Sequence, residues 1–286
     1  MSMTIALVGN PNSGKTTLFN ALTGANQHVG NWPGVTVERK EGQTRYKNQV
    51  YTVVDLPGTY SLGAFSEDEV VAREFILTGN PDVVINVVDA TNIERNLYLT
   101  TQLLEMGAKV VVALNMVDEA EAREISVDEK ALTKRLGIPV IPTVASRRRG
   151  MDELMEAATA VMYAPLNGHA RLSYGESIDR KIAELKNLLT KEDFAYPPGW
   201  LALKLLEGDA YAQSVVDQSQ TLQGSPAYGR FWNEVAAHAE DYQLEIVDSR
   251  YKFVGEITQD TVRRPKVAVQ TTTDRVDRVL TCVISP

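Results

Sequence analysis

The chain has 286 residues, room for one large domain or two ordinary ones at roughly 100 to 200 residues each, and its 44% hydrophobic and 23% charged content excludes a wholly disordered or low-complexity architecture. A single cysteine, Cys282, excludes an internal disulfide, and with three scattered histidines it leaves no Cys/His set for a zinc site. Lys and Arg total 29 against 37 Asp and Glu, net −8, which argues against a nucleic-acid partner held by broad phosphate neutralisation.

The N-terminus leads from Met1-Ser2-Met3-Thr4 directly into an apolar strand at residues 5–8, without the basic segment and apolar stretch of an export signal. No window approaches ~18 uninterrupted apolar residues, so the chain as given is not expected to span a bilayer. A reducing compartment fits the cysteine usage. Up to residue 163, short β-branched runs alternate with stretches at helical spacing, the pattern of an α/β domain with a mixed, mostly parallel sheet of six or seven strands. Strands are predicted at 5–8, 37–46, 50–55, 83–89, 109–115 and 140–144. Those starting at 5, 83 and 109 are nearly continuous in Val, Ile, Leu and Ala, as strands covered on both faces are. Ligands of such sheets collect beyond the carboxyl ends of the strands.

Gly9-Asn10-Pro11-Asn12-Ser13-Gly14-Lys15-Thr16 follows the first strand and precedes a helical stretch from Thr17, so it meets the G-x-x-x-x-G-K-[ST] pattern in its strand, loop, helix context. Glycines let the main chain wrap close to phosphates, and the N–H groups of the loop and helix start point inward at an anion. Lys15 supplies a mobile charge for the β- and γ-phosphates, and the Thr16 hydroxyl is placed to ligate Mg²⁺. Asp55-Leu56-Pro57-Gly58 ends the third strand; a carboxylate there can hold the Mg²⁺ shell and the Gly58 N–H can meet a γ-phosphate, although Asp before Pro-Gly is also an ordinary turn. Glu67, Asp68 and Glu69 open a helix running to Leu77, as charges complementing its dipole or else to orient water or pair with the helical domain.

Asn115-Met116-Val117-Asp118 closes the fifth strand. The Asp118 carboxylate is acceptor-only and suits the N1–H and N2 amino donors of guanine, which adenine lacks; alone, the tetrapeptide also fits a strand-to-helix cap. Val144-Ala145-Ser146-Arg147 follows the sixth strand, and Arg147-Arg148-Arg149 there read as a solvated turn, or else as a patch that steers an anionic nucleotide or touches a membrane. After Pro165-Leu166-Asn167-Gly168 the strand signal stops. Helices are predicted at 178–189, 200–207, 225–239 and 243–257, a small helical domain over residues 166–257 behind a first domain of residues 1–165. From Thr258 polar residues and Arg263-Arg264-Pro265 dominate, predicting a locally basic, partly disordered linker over 258–286.

In this order and spacing, the motifs resemble those of Ras-like P-loop GTPases. Residues 9–20, Val29-Gly30-Asn31-Trp32-Pro33-Gly34-Val35-Thr36-Val37-Glu38, Asp55 to Leu62, Asn86-Val87-Val88-Asp89-Ala90 and Asn96-Leu97-Tyr98-Leu99-Thr100 narrow the resemblance to the cytosolic part of the ferrous iron transport protein B (FeoB) family, and residues 275–281 resemble the connection into that family's membrane domain. The resemblance implies GTP and GDP as ligands, a location on the cytoplasmic side of a bacterial inner membrane, and a pore domain of the same protein that this chain lacks. It also implies a small cytosolic accessory protein as partner and leaves a homo-oligomer open.

Carried over by residue, it places Gly34, Val35 and Thr36 of a first switch at the nucleotide, with Thr36 a Mg²⁺ ligand; a strand-edge threonine is the plain alternative. Main-chain N–H groups after Val144, on Ala145 and Ser146, would meet the guanine O6. Asp55 would act on Mg²⁺ through water. In potassium-dependent relatives an asparagine at the position of Asn12 and switch carbonyls hold a monovalent cation, which implies K⁺ on Asn12 and the carbonyls of Gly30 and Trp32. The glutamine that follows D-x-x-G in Ras-like enzymes is replaced by Thr59, with Tyr60 next, so slow turnover is expected from Asn12, Lys15, Thr36 and Gly58. Arg39 is the one candidate for an internal arginine finger, and it follows a strand pattern. His28, His169 and His238 are assigned no iron. Two further readings stay open: an RNA- or ribosome-assembly GTPase, and a nucleotide sensor with negligible hydrolysis.

Overall fold

The computed structural model describes residues 3–24, 27–165 and 172–265. Strand β1 (Met3–Gly9) runs through a loop into α1 (Lys15–Thr23), and β2 (Gln27–Asn31), β3 (Glu38–Tyr46) and β4 (Gln49–Asp55) then form an antiparallel meander. Its second turn is Lys47-Asn48, both at positive φ of 45° and 63°, the backbone twist that suits a two-residue hairpin. Next come α2 (Glu67–Leu77), β5 (Val83–Asp89), α3 (Ile93–Glu105), β6 (Val110–Asn115), α4 (Val117–Ala122), β7 (Ser126–Val127), α5 (Glu129–Leu136), β8 (Val140–Pro142) and α6 (Met151–Tyr163).

Seven strands lie in the order β2-β3-β4-β1-β5-β6-β8, with β1 parallel to both β4 and β5 and the β5, β6 and β8 pairings parallel. The chain leaves β1 towards one edge and returns through β5 towards the other, so the crevice beyond Gly9 lies where the winding reverses. Alternate residues of β1 serve two cores. Ile5 and Leu7 join Phe19 of α1 and Leu154 of α6 on one face. Ala6 and Val8 join Leu97 and Leu103 of α3 on the other, and that second core continues without a break into Trp200, Leu205 and Ile246 of the helical region.

The helical region comprises α7 (Glu176–Leu189), α8 (Pro198–Leu206), α9 (Ala210–Asp217), α10 (Gln220–Gln223), α11 (Pro226–Ala237) and α12 (Ala239–Thr261), followed by β9 (Val262–Arg263). Helix α8 is buried from Trp200 to Leu206, which makes it the hub. Beside it, Arg250 of α12, 1% exposed, donates to both Glu105 carboxylate oxygens at 2.7 and 2.9 Å and also pairs with Glu207. Lys204 meets the same Glu207 at 2.7 Å, so two buried cations face two buried carboxylates and no charge is left over. Burial pushes the Tyr174 hydroxyl well above the ordinary phenol range, and it stays a neutral donor to Glu105 at 2.6 Å.

Three features depart from the sequence reading. The Gly30–Asn31 part of the expected loop belongs to β2, an edge strand whose five residues are all exposed and which carries no apolar alternation to predict it from. Helices α9 and α10 are short and begin at the side-chain caps Asp209 and Ser219 rather than at an apolar stripe. Helix α12 does not yield to a linker at Thr258: the Thr258 and Thr261 hydroxyls donate to Val254 O and Ile257 O at 2.9 and 2.8 Å, so polar side chains are buried there with their hydrogen bonds made. Strand β9 then pairs antiparallel with β7. The rest of the expected linker, residues 266–286 with the stretch 275–281 and Cys282, lies outside the described residues, as do residues 166–168 and His169. No helix among the described residues is long and apolar enough to cross a membrane.

Candidate functional site

The loop that follows β1 is shaped by its glycines. A Cβ on Gly9 would come 2.7 Å from Val87 O of β5, and one on Gly14, at φ +83°, would come 2.3 Å from the Asn115 side-chain nitrogen. Only glycine lets three strands and the loop meet so closely. Asn12 also takes a positive φ of 66°, and Ser13 N donates to Asn10 O at 3.1 Å to close the turn. Helix α1 begins on Gly14 with no side-chain cap and no acidic residue in its first turn, so its leading N–H groups, those of Lys15, Thr16 and Thr17, suit an anion. Gly14→Ala is expected to lower stability by about 2 kcal/mol, because it adds left-handed strain to a collision with the Asn115 side chain, whose hydrogen bonds hold it in place; an unchanged thermal unfolding midpoint would refute this account of the loop.

Lys15, one-tenth exposed, donates to Asp55 at the end of β4 and to Leu56 O. Lys15, Thr16, Asp55, Leu56, Pro57 and Gly58 line one cleft of about 250 Å³. A lysine, a hydroxyl and a carboxylate around glycine-rich main chain fit a phosphate chain with a hard cation, for which oxygen donors are the preferred ligands. Leu56 N and Thr59 N donate to Leu7 O and Gly9 O at 3.0 and 3.2 Å, so the D-x-x-G segment is laced onto β1. Thr59 is buried and its hydroxyl donates to Ser61 O at 2.6 Å, which leaves it committed rather than facing the cleft.

Of the first-switch stretch, Val37 and Glu38 line this cleft, whereas Gly34, Val35 and Thr36 do not. Thr36 is exposed in a loop closed by Trp32 N donating to Val37 O at 2.9 Å, with Gly34 at φ +78° and Val35 N donating to Trp32 O at 3.3 Å. Gly30 sits in β2 opposite Arg39. The Trp32 ring packs edge-on to Phe75 of α2 at 5.2 Å, with the Arg39 guanidinium over it at 4.9 Å, which places Arg39 on the switch and not on the phosphate loop.

Beyond β6, Asn115 is the tie of the base end. Its Nδ2 donates to Ser13 O at 3.0 Å, and its Oδ1 accepts from Ala145 N at 3.1 Å and Thr143 Oγ1 at 3.3 Å. The Ala145 amide expected to face a base oxygen is therefore spent on Asn115, and Ser146 remains the free candidate in that loop. Met116, at φ 61°, turns the chain into α4, and the Asp118 carboxylate emerges in its first turn, about a quarter exposed and 3.5 Å from the Arg147 guanidinium. Arg147 is itself largely exposed, so it is both a solvated side chain and a neighbour of Asp118.

Contacts that the sequence did not disclose join the second switch to the helical region. Ser66 caps α2, and Glu69 accepts from Ser61 Oγ at 2.6 Å and from Phe65 N at 3.0 Å. Asp68 lines the phosphate-side cleft. Arg73, fully buried in α2, donates to Asp209 at 3.0 Å and lies 4.7 Å from the centre of the Tyr211 ring, while Glu74 accepts from Tyr196 at 3.0 Å. An arginine in the middle of a helix that opens with a capping serine is the one local signal that could have pointed there. Among the described residues no group of three or more His, Cys, Asp or Glu is arranged to hold a metal; His28 lies in β2 and His238 between α11 and α12.

Residues 3–158 match the family model described as ferrous iron transport protein B, and residues 174–263 match that of the FeoB cytosolic helical domain. The Fe(2+) transporter FeoB of Salmonella choleraesuis is 46% identical over 261 residues, and that of Escherichia coli strain K12 is 46% identical over 260, each match covering 89% of this chain and 33% of the relative. The chain thus spans about a third of the length of the curated relatives it matches. Among solved structures, the cytosolic domain of the T. maritima FeoB iron transporter in its GMPPNP form matches with a TM-score of 0.81 at 37% identity, covering 91% of this chain and 99% of that one. The same domain in a GDP form matches at 0.83 and 38% identity, over 92% and 99%.

Proposed function

The chain belongs to the FeoB family of ferrous iron transport proteins, and on that premise we propose that it is the GTP-binding, slowly GTP-hydrolysing switch of a ferrous iron transporter, on the cytoplasmic side of a bacterial inner membrane. One observation carries the reading: Lys15, Thr16, Asp55 and Gly58 converge in a single cleft at the end of β1, with Asp118 presented beyond β6.

In this reading Lys15 exchanges its carboxylate partner Asp55 for the β- and γ-phosphates, and the Gly58 N–H donates to the γ-phosphate. Main-chain N–H groups from Gly9 to Thr17 cradle the phosphates, and Asp118 reads the guanine edge with Asn115, Met116 and the Val144–Ser146 loop behind it. Thr16 and Thr36 would ligate Mg²⁺ directly and Asp55 through water, a set of hard oxygen donors; bound there, the ion neutralises charge on the β- and γ-oxygens. Asn12, with the carbonyls of Gly30 and Trp32, would hold K⁺ against the α- and γ-phosphates. Assembling that site and bringing in Gly34, Val35 and Thr36 requires the β2 end of the sheet to let go, which is inexpensive for an edge strand with every residue exposed. Water then attacks the γ-phosphorus as the bond to the β-phosphate oxygen breaks, giving GDP and phosphate. Thr59, with its hydroxyl committed to Ser61, supplies no amide to orient that water, so turnover is slow.

The contacts of Arg73 with Asp209 and of Glu74 with Tyr196 support a relay of nucleotide state from α2 through the helical region towards the pore domain of the longer protein. A ligand moves such an equilibrium only by its differential affinity for the two states. Titration calorimetry tests the base: GDP binds and ADP does not, and equal binding of both would end the guanine reading. The GTPase rate is expected to be about tenfold higher in K⁺ than in Na⁺ at matched ionic strength, about 1.4 kcal/mol of barrier; equal rates would remove the potassium assignment.

A further inference from the structure

A cavity of about 980 Å³ opens between residues 60–61, the first turns of α3 and the outer face of α12. On its rim the Arg95 guanidinium lies over the Tyr60 ring, 4.1 Å from its centre. The neighbouring carboxylate, Glu94, is taken by Arg264 in a two-pronged pair at 2.9 and 3.0 Å, so the ring is the contact that the fold gives the Arg95 side chain. Tyr60 is 43% exposed, so core burial holds its ring only in part, and the cation over its face adds a second hold.

Tyr60 directly follows the buried Thr59, whose N–H donates to Gly9 O at 3.2 Å. On the other side, the Arg95 carbonyl accepts from the Asn10 side chain of the phosphate loop at 3.3 Å. The Gly58–Thr59 main chain is thus held between the phosphate loop and α3, with Arg95 touching both supports. A chain without a glutamine after D-x-x-G must align the attacking water with main-chain groups, and the placement of that main chain then sets the rate.

We propose that Arg95 is a positioning residue for GTP hydrolysis, gripping Tyr60 and through it the Gly58–Thr59 main chain over the phosphate loop. This rests on the GTPase reading above. Neither side chain contacts the residues assigned to phosphate or base, so the effect falls on the chemical step.

Arg95→Ala and Tyr60→Leu are each expected to lower kcat about fivefold, the scale of one cation–π contact, with KM for GTP and affinity for GDP changed by less than roughly twofold. Tyr60→Phe, which keeps the π face, retains the full rate, and Arg95→Lys recovers part of it. The Arg95→Ala/Tyr60→Leu double variant is no slower than either single one, as expected for two ends of one contact. Unchanged kcat in the single variants, multiplied losses in the double variant, or a loss confined to KM would overturn the proposal. GDP titration of the unsubstituted chain separates the two readings: no binding strikes the nucleotide site itself, whereas binding with no turnover leaves that site standing and removes the role of Arg95.

Discussion

Lys15→Ala weakens binding of a non-hydrolysable GTP analogue by at least about 100-fold, roughly 3 kcal/mol, on the scale of truncating one partner of a buried, hydrogen-bonded charge pair. The reason lies in the cleft. Lys15 is the cation held at its centre, between Asp55 and Leu56 O, while the other lysine on its wall, Lys40, is engaged by Glu38 at 3.1 Å. Among the described residues, nothing else lining the cleft can bring positive charge to a γ-phosphate. The same substitution strands Asp55, 6% exposed, without its counter-charge, so the thermal midpoint also falls in nucleotide-free protein. Calorimetric titration measures the first effect and thermal unfolding the second. Unaltered analogue affinity would be fatal to the phosphate-loop assignment, whatever the melting curve does.

Asp118→Asn exchanges an acceptor-only group for one that both donates and accepts. One hydrogen bond to guanine is replaced by a donor facing a donor and the other loses its charged acceptor, together worth roughly 4 kcal/mol, so GTP affinity drops on the order of 10³-fold. Xanthosine triphosphate, which accepts at O2 where guanine donates, gains in the same variant. The outcome is legible because Asp118 holds no structural bond that the change would break: its Oδ1 accepts only from the adjacent Glu119 N at 3.1 Å, and its Oδ2 faces the exposed Arg147. Competition of both triphosphates against labelled GDP reads the exchange directly. Retained GTP preference in the variant would refute the base assignment.

The sheet, the phosphate loop and the two downstream motifs were legible in the sequence because each is enforced locally. Runs of Val and Ile favour covered strands, and at position 14 a φ of +83° together with the Asn115 side chain pressed against the Cα favours glycine. Strand β2 was not legible, since it is held by pairing with β3 and not by burial. The C-terminal turns of α12 were misread for the opposite reason: threonines that count as polar in a window are buried with their hydroxyls turned back on the helix. Least visible were the contacts that span the chain. Arg73 with Asp209 and Arg250 with Glu105 are separated by more than a hundred residues, and a charge in sequence carries no mark of the partner it will find.

Asn115 spends every polar atom of its side chain inward, on Ser13, Ala145 and Thr143. Three segments far apart in sequence are thereby fused into a rigid floor before any nucleotide arrives. On the proposed guanine reading, a base meets a surface already set and loses little to rearrangement there.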